Sequence, residues 1–400
     1  MDIYGGGERV CHNVIKSLLE HGEQVELLTF DFDSVRYAQI MGEKLPEGIV
    51  VHSLGKRVDV KPPFTVYKRR SKIIKLTKKI KDLDYDYVFS TQTLTAFESA
   101  LFNEKKGNIA YVHFPEIHHR YMNSGLTRKA YLWLYQRWLD GDISKLDMVF
   151  CNSNYTKGMI EKYWSKDKIP EPIVAYPPVD LDPFWSKTPL KDRLKQVIYV
   201  GRFIPQKRHE LMKKLAVDLP EFQFLSVGGL RDTEQLWFEV FSKDLPANYK
   251  LKPNVPSQEL VQLYEQSRVY CHLMEGEHFG ISPMEALASG CATLVHKSGG
   301  TGEFIPEEFR WQTYDDLKEK ITHWGEPSES DNSAWDQLRG ELWEKISILQ
   351  PKVFREKIWA HVQWLMQQTE NNIQPEHNSK GDVNTKGDRA NLLLANRSEG

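Results

Sequence analysis

Cysteine is scarce in this sequence, and the thiols that it does contain are scattered. The 400 residues include four cysteines, and no two of them form a C-x-x-C pair. This spacing excludes a disulfide scaffold and a zinc ribbon, and it is typical of proteins from a reducing compartment. The sequence therefore predicts a cytoplasmic protein.

Long apolar runs and an excess of one charge are also missing. No apolar run approaches the ~18–20 residues that span a bilayer, and the first residues lack the basic-then-apolar pattern of a signal peptide. Lysine and arginine (53) nearly balance aspartate and glutamate (55), for a formal net charge of -2. This balance excludes a general affinity for nucleic acid, so any basic partner surface must be local.

The chain is long enough for two domains, since domains usually hold about 100–200 residues. Short β-rich runs alternate with helical patterns, which predicts an α/β fold with parallel sheets. A proline-rich stretch favours an extended connector between the two halves. The predicted parts are a first domain over residues 1–180, a second over 181–350, a helix over 351–369 that returns to the first domain, and a disordered tail over 370–400 in which only "NLLLAN" is apolar.

Two glutamates stand out in the stretch "EGEHFGISPMEALASG", residues 275–290. Glu277 directly follows the apolar run "RVYCHLM", and ligand groups usually lie where parallel strands end. Ser282 and Glu285 have the spacing of a capping box, so Glu285 is either half of a helix cap or a ligand group. The amides at this helix start would attract a phosphate, and Gly280 would permit its close approach.

Two cations follow an earlier strand pattern. Arg202 and Lys207 come directly after "QVIYVG" and before a helical pattern, so both can face the same crevice. Alone, they are more typical of a solvated basic loop. Together with the distant Glu-x7-Glu pair they indicate a site for a phosphate attached to hydroxyl-rich groups, because a carboxylate repels phosphate but accepts hydrogen bonds from hydroxyls.

A set of motifs, taken together, resembles a known family. The chain is similar to the family 4 glycosyltransferases, whose GT-B architecture has two Rossmann-like domains that face each other across a cleft. The motifs "YVHFP", "YPPVD" and "EHFGIS" with a later "SGG" are most similar to the α-mannosyltransferases that extend dolichol-linked oligosaccharides with GDP-mannose. The full set comprises "GGGERV" (5–10), "YVHFP" (111–115), "CNSNYTK" (151–157), "YPPVD" (176–180), "GRFIPQK" (201–207), "NVP" (254–256), "EHFGISPMEALASG" (277–290) and "SGG" (298–300).

The resemblance implies a donor site in the second domain. Arg202 and Lys207 would hold the diphosphate of the nucleotide sugar, and Glu285 would bind the nucleotide ribose. Glu277 would face the transferred sugar as an orienting group. Further donor contacts are implied for the base edge and for backbone amides, at Val255, Phe279, Gly280 and Ile281.

The resemblance also implies contributions from the first domain and a reaction. The loop of Gly5, Gly6 and Gly7 would close over the diphosphate, and His113 would lie near the anomeric centre. The implied reaction retains anomeric configuration, with fixed cations stabilising the leaving diphosphate and no cofactor beyond the donor. Double displacement, a UDP-sugar donor and a non-catalytic sugar-nucleotide-binding subunit remain alternatives. The candidate catalytic residues are His113, Arg202, Lys207 and Glu277.

Two stretches superficially resemble metal sites. "DFD", residues 31–33, matches the D-x-D of metal-dependent glycosyltransferases, but so short a pattern is equally typical of a charged loop. "HFPEIHH", residues 113–119, lacks the H-E-x-x-H spacing and favours a polar loop. The sequence therefore predicts no metal site.

Residues 67–83 form a basic amphipathic pattern. Eight cations and no acid occur between Lys68 and Lys81, with isoleucine and leucine at intervals. Such a helix either lies on an anionic membrane surface or packs its isoleucines inward as an ordinary surface helix. RNA binding is disfavoured, because no aromatic residues are interleaved for base stacking. The membrane interpretation would place the chain peripherally on the cytoplasmic face, beside a polyprenyl-linked acceptor.

The Gly-rich motif comes unusually early in the sequence. In the family, a central strand of the first sheet precedes it, yet only Met1 to Tyr4 stand before the glycines. A strand usually requires more residues. We expect either a start upstream of Met1 or a first domain that completes its sheet in another way.

Overall fold

The chain folds into two units. The computed structural model describes residues 6–30, 32–55, 64–77, 83–91, 101–102, 107–164, 166–373 and 391–395. The first unit comprises Met1–Pro178 and Pro351–Gly400, and the second comprises Val179–Gln350. Where the sequence places a division near Asp180, the structure divides the chain after Pro178.

The first unit is a parallel sheet with helices on its faces. Its strands, numbered in chain order, are β1 (Gln24–Thr29), β2 (Val50–Ser53), β3 (Tyr87–Ser90), β4 (Gly107–Val112), β5 (Met148–Cys151), β6 (Ile173–Val174) and β13 (Asn391–Ala395). Its helices are α1 (Gly6–Glu20), α2 (Ser34–Met41), α3 (Thr65–Thr77), α4 (Glu116–Met122), α5 (Leu126–Ile143), α6 (Asn154–Tyr163) and α13 (Pro351–Ile373). The strand order is β2-β1-β13-β3-β4-β5-β6, and every pairing is parallel.

Helix α13 belongs to the first unit although it follows the second in sequence. It contacts α1 and β4. Its apolar stripe, with Phe354, Ile358 and Val362, is buried against Leu18 of α1 and Tyr111 of β4. This packing explains why apolar residues recur every three to four positions along α13, because a helix with one apolar stripe needs a neighbour that buries the stripe.

The prediction of a disordered tail is wrong for its apolar stretch. Strand β13 lies between β1 and β3 and pairs with both, and Leu392 and Leu394 are buried there. Short length and polar flanks hid this strand from local pattern analysis. Between the apolar strands β1 and β3, strand β13 buries Leu392 and Leu394 and pairs its backbone groups on both sides. These contacts depend on distant parts of the chain, so no local pattern reports them. Strand β13 holds the central position that was expected of a strand before the glycines.

The second unit is a separate parallel sheet. Its strands are β7 (Leu194–Val200), β8 (Gln223–Gly228), β9 (Tyr249–Pro253), β10 (Ser267–Cys271), β11 (Ala292–His296) and β12 (Arg310–Trp311), in the order β12-β11-β10-β7-β8-β9. Its helices are α7 (His209–Asp218), α8 (Gln235–Phe241), α9 (Ser257–Gln266), α10 (Ile281–Ala288), α11 (Tyr314–Gly325) and α12 (Glu329–Ile346). Two parallel sheets with alternating helices confirm the predicted α/β fold class. Among the described helices, none is both long and apolar enough to cross a membrane.

Candidate active site

The central strands of the second unit carry the predicted charged residues at their carboxyl ends. Strands β7 and β10 are neighbours in the sheet, and they lead to Lys207 and Glu277 respectively. The Lys207 Nζ lies 3.2 Å from the Glu277 Oε2. The two side chains are 24% and 18% exposed, so solvent screens the pair less than it would screen a surface ion pair. Two motifs separated by 70 residues therefore meet at one point.

Glu277 is held ionised by its neighbours. Burial alone would raise its pKa, but the Lys207 ammonium and the His272 ring lower the pKa of this carboxyl well below its usual value. His272 donates from Nε2 to the same Oε2 at 3.2 Å. The other oxygen, Oε1, accepts from the His278 amide at 3.2 Å and can accept a further hydrogen bond, since a carboxylate oxygen has two lone pairs. It is therefore equipped to orient hydroxyl groups.

Behind Glu277 lies a buried chain of hydrogen bonds that the sequence did not reveal. The His272 Nδ1 lies 3.0 Å from the Tyr270 hydroxyl, which lies 3.0 Å from the Ser282 Oγ. Burial lowers the pKa of His272, so the ring is neutral at pH 7 and its Nδ1 accepts from Tyr270. The only signal in the sequence was the spacing of two residues between Tyr270, in β10, and His272, directly after this strand, which places both side chains on the same face.

A glycine pair fixes the backbone of Glu277. Glu277 and Gly299 form a β-bridge, and the Gly300 amide donates to the Glu277 carbonyl at 2.8 Å. Gly299 has a φ of +98°, and a Cβ there would lie 2.3 Å from the Glu277 carbonyl oxygen. The "SGG" motif thus positions the acid, because only glycine combines this backbone angle with so close an approach.

Helix α10 begins at Ile281, with Gly280 in the N-cap position and no side-chain cap. The capping-box interpretation of Ser282 and Glu285 is therefore wrong. The Ser282 hydroxyl instead points toward the strands, with its Oγ 3.3 Å from the Val200 carbonyl and 3.0 Å from the Tyr270 hydroxyl. Glu285 is buried, and the Tyr264 hydroxyl donates to its Oε2 at 3.5 Å.

The start of α10 has the form of an anion site. Gly280 has a φ of +87°, and a Cβ there would lie 2.4 Å from Thr301. The backbone of Phe279, Gly280 and Ile281 thus turns into the helix without a bulky side chain at its centre. The first amides of a helix point outward along its axis and attract anions.

The remaining cation lies on the loop that follows β7. Arg202 comes two residues after this strand, and its carbonyl accepts from His209 Nε2 at 2.9 Å. Burial, with the Lys207 ammonium nearby, lowers the pKa of His209 to about 4. The Tyr199 hydroxyl donates to the Lys207 carbonyl at 2.8 Å. A neutral histidine and a buried tyrosine therefore shape the backbone of the basic loop.

The residue that was predicted to contact the nucleotide base follows a strand that lies two places from β7 in the sheet. Val255 is half-buried and follows β9, at the edge of the same sheet. It shares the carboxyl side of the sheet with the loops of Lys207 and Glu277, as parallel strands require.

In the first unit, His113 directly follows β4. Its Nε2 donates to the Thr91 carbonyl at 3.1 Å, and its own carbonyl accepts from Asn152 at 3.0 Å. Gly6 and Gly7 are the first two residues of helix α1. The prediction of a glycine loop is therefore wrong at these two positions. Gly5 lies outside the described residues.

Side chains of the two motifs that superficially resemble metal sites form hydrogen bonds within the first unit. The Asp33 carboxylate accepts from the Val35 amide at 2.9 Å, and Asp31 lies outside the described residues. His118 is held between Asp140, at 2.9 Å, and Trp164, at 3.1 Å. Across the described part of the chain, no three histidine, cysteine or acidic side chains are grouped to hold a metal ion.

Two sequence families match the two units. The family described as Glycosyltransferase Family 4 matches residues 4–183, and the family described as Glycosyl transferases group 1 matches residues 183–333. Together these matches cover both sheets except β13, as well as every candidate site residue.

Curated relatives are similar over part of their length. GDP-Man:Man(3)GlcNAc(2)-PP-Dol alpha-1,2-mannosyltransferase of Homo sapiens is 28% identical over 219 residues, which is 48% of this chain and 44% of that protein. The protein of the same name from Caenorhabditis elegans is 27% identical over 192 residues, 43% of this chain and 40% of the relative. The matched stretch thus spans under half of the length of these relatives.

Solved structures share the fold. Anabaena HepE, in complex with UDP and glucose, superposes with a TM-score of 0.69 at 14% identity, covering 91% of this chain and 97% of HepE. Sucrose-phosphate synthase from Thermosynechococcus elongatus gives a TM-score of 0.59 at 16% identity, covering 88% and 99%. With both family matches and this fold, the chain belongs to the family 4 glycosyltransferases of GT-B architecture.

Proposed function

We propose that the chain transfers mannose from GDP-mannose to a lipid-linked oligosaccharide and forms an α linkage. The observation that carries this proposal is the half-buried contact between Lys207 and Glu277 at the carboxyl edge of the second sheet. The names of the curated relatives support the donor and the acceptor class.

The donor diphosphate would lie between the cations and the start of α10. Arg202 and Lys207 contribute two positive charges on one loop, and the amides near Gly280 contribute the partial charge of the helix end. Breaking the bond between sugar and phosphate places negative charge on the leaving GDP. Groups that are already in position for that charge lower the barrier without reorganisation.

The carboxylates would bind hydroxyl groups of the donor. Glu277 is ionised and holds Lys207, so its free lone pairs accept from the mannose hydroxyls. Its lowered pKa makes it a weak proton acceptor, which favours an orienting role over that of a general base. Glu285 would accept from the ribose hydroxyls, and Val255 would contact the base.

The reaction that suits these groups is front-face substitution with retention. The bond from the anomeric carbon to the phosphate oxygen breaks, and its electron pair leaves with GDP. The acceptor oxygen bonds to the anomeric carbon on the same face, and its proton passes to the leaving phosphate oxygen. His113, in the first unit, is assigned by its motif to the transferred sugar, and Gly5, Gly6 and Gly7 to the diphosphate.

The acceptor would be a polyprenyl-linked glycan at the cytoplasmic membrane face. The basic helix α3 supports this assignment, since Thr65–Thr77 carries cations and no acid. Residues 78–82, which complete the basic pattern, lie outside the described residues.

A donor panel with matched variants tests the proposal. The assay would follow product formation from GDP-mannose, UDP-glucose and UDP-N-acetylglucosamine with a polyprenyl-diphosphate oligosaccharide. We expect α-mannosyl product with GDP-mannose, lowered about 100-fold or more by Lys207→Ala or Glu277→Gln. Lys195→Ala removes a similarly exposed lysine of the same unit that pairs with Glu326, and it should leave the rate unchanged.

Two outcomes would contradict the proposal, and a third would invalidate the assay. If product formed with a UDP-sugar and not with GDP-mannose, GDP-mannose would be refuted as the donor. Donor binding that needs Lys207 but never yields product would favour a non-catalytic subunit. Equal loss of activity in the Lys195 variant would show that the assay reports stability rather than the site.

A further inference from the structure

Helix α5 of the first unit presents apolar side chains on the face that points to solvent. Leu126, Trp133 and Leu134 are 87%, 48% and 39% exposed, and Ala130 between them is exposed as well. Their spacing of four, seven and eight residues from Leu126 places them on one stripe of the helix. Single exposed apolar residues are ordinary, but a continuous stripe indicates a surface that contacts something.

The opposite side of α5 already has its partner. Leu132, Tyr135, Leu139 and Ile143 are buried in the first unit. The packing of α5 on its own domain therefore does not account for the exposed stripe. The helix is apolar on two sides, of which the fold covers one.

Helix α3 lies beside α5 and extends this surface. The Tyr67 hydroxyl donates to the Tyr131 carbonyl, and the Arg70 guanidinium lies 4.4 Å from the Trp138 ring centroid. Phe64, just before α3, is 58% exposed, and its ring centroid is 6.2 Å from that of Tyr131. We call the surface of Phe64, Leu126, Ala130, Trp133 and Leu134 the α5 face.

The charges around the α5 face are mostly positive. Residues 65–77 contain five cations and no acid, and α5 contains three cations and two acids, of which Asp140 pairs with His118 and Asp142 is buried. The Arg137 guanidinium lies 5.2 Å from the Trp133 ring centroid, so a cation borders the apolar stripe directly. An occupant of this surface must be apolar at its centre and anionic around it.

We propose that the α5 face docks on an anionic lipid bilayer, with its apolar side chains among the acyl chains and its cations at the lipid phosphates. Tryptophan is enriched at the membrane interface, and basic amphipathic helices lie there with their apolar face buried. A polynucleotide matches the cations but gives exposed leucines no apolar contact. This inference rests on the proposed function in that a lipid-linked acceptor brings the enzyme to a bilayer.

Vesicle co-sedimentation of the full chain tests the proposal. The probes are phosphatidylcholine vesicles with and without phosphatidylserine. We expect binding to the anionic vesicles, weakened about tenfold or more by Leu126→Ser with Trp133→Ser, and likewise by Lys129→Gln with Arg137→Gln. The control variant, Leu236→Ser with Trp364→Ser, removes a leucine and a tryptophan that are 75% and 54% exposed elsewhere, and it should bind as the unmodified chain does.

Equal binding of all variants, or no binding to anionic vesicles, would overturn the docking proposal. Binding of an RNA oligonucleotide that only the variant without Lys129 and Arg137 loses, together with no vesicle binding, would assign the surface to a polyanion instead. Transfer to a short-chain, water-soluble acceptor separates this proposal from the proposed function. Docking variants should keep that transfer while losing transfer to a vesicle-embedded acceptor, whereas failure of the proposed function would abolish transfer and leave vesicle binding intact.

Discussion

Gly299 lies against the backbone of Glu277, and a Cβ at position 299 would lie 2.3 Å from the Glu277 carbonyl oxygen and 2.8 Å from its amide nitrogen. The acid at the candidate site is therefore placed by a glycine 22 residues further along the chain. Its side chain is then held by Lys207 and His272. Backbone and side chain are positioned by different parts of the second unit.

Gly299→Ala should impair both activity and stability. Alanine disfavours the φ of +98° and would push on the Glu277 backbone, so we expect a loss of about 1–3 kcal/mol in unfolding free energy and a fall in kcat. Urea unfolding and transfer assays measure the two effects. Gly340→Ala is the control, because Gly340 lies in α12 with open space around its Cβ, and alanine there should be neutral or stabilising. An active, fully stable Gly299→Ala protein would refute the positioning role.

The contribution of Glu277 to stability should depend on pH. Since its pKa is lowered in the folded protein, its ionised form stabilises the fold above the unfolded pKa near 4.5, and this stability is lost as the pH falls through the folded pKa. Glu277→Gln should therefore be destabilised at about pH 7, and its difference from the unmodified protein should begin to shrink below about pH 4.5 and vanish only below the folded pKa. Unfolding by urea across this range checks the trend.

The matched control for this prediction is Glu326→Gln. Glu326 pairs with Lys195 but is 55% exposed, so its loss should cost less than about 1 kcal/mol at any pH. A pH-independent difference between Glu277→Gln and the unmodified protein would contradict the ionised state of Glu277.

His272 and Tyr270 should act on the reaction through Glu277. Tyr270→Phe removes the hydroxyl that donates to His272 Nδ1, and His272→Phe removes the donor to Glu277. We expect kcat to fall about tenfold or more in His272→Phe, with little change in KM. His272→Asn, which keeps a donor, should recover part of the loss.

The protonation state of His272 can be measured directly, and a purely structural role for this residue would not fix which ring nitrogen carries the proton. Burial lowers its pKa, so the ring nitrogens should still show mainly neutral-imidazole NMR shifts at pH 6.5, with the proton on Nε2. In Tyr270→Phe the proton should stay on Nε2, because the Glu277 carboxylate still accepts from it, and the Nδ1 shift should move because this nitrogen loses its donor. Titration of His272 near its usual pKa of 6.5 would contradict the assigned hydrogen bonds.

Strand β13 should control the stability of the first unit alone. Leu394 is fully buried, so Leu394→Ala should cost about 2–5 kcal/mol, and Leu394→Lys more. Hydrogen exchange of β1 and β3 amides should accelerate, whereas exchange in β7 and β10 should not change. Leu236→Ala, at a leucine that is 75% exposed, is the control. Unchanged exchange in β1 and β3 would show that β13 does not hold the sheet.

The sequence by itself determined the α/β class and the motifs of the donor site. Alternating strand and helix patterns report burial on both faces of a parallel sheet, and this pattern is local. The Glu-x7-Glu stretch and the Arg-Lys loop were recognisable because each follows an apolar strand, which places it at the carboxyl edge of a sheet.

Tertiary structure alone decided what those residues touch. The capping box failed because Ser282 bonds to the strands, and the partners of Glu277 come from His272 and Gly299 on other segments. The strand β13 exists because two distant strands leave a slot between them. The exposure of the α5 stripe likewise depends on which side of the helix the domain covers. Contacts of this kind join residues far apart in the chain, so no local pattern encodes them.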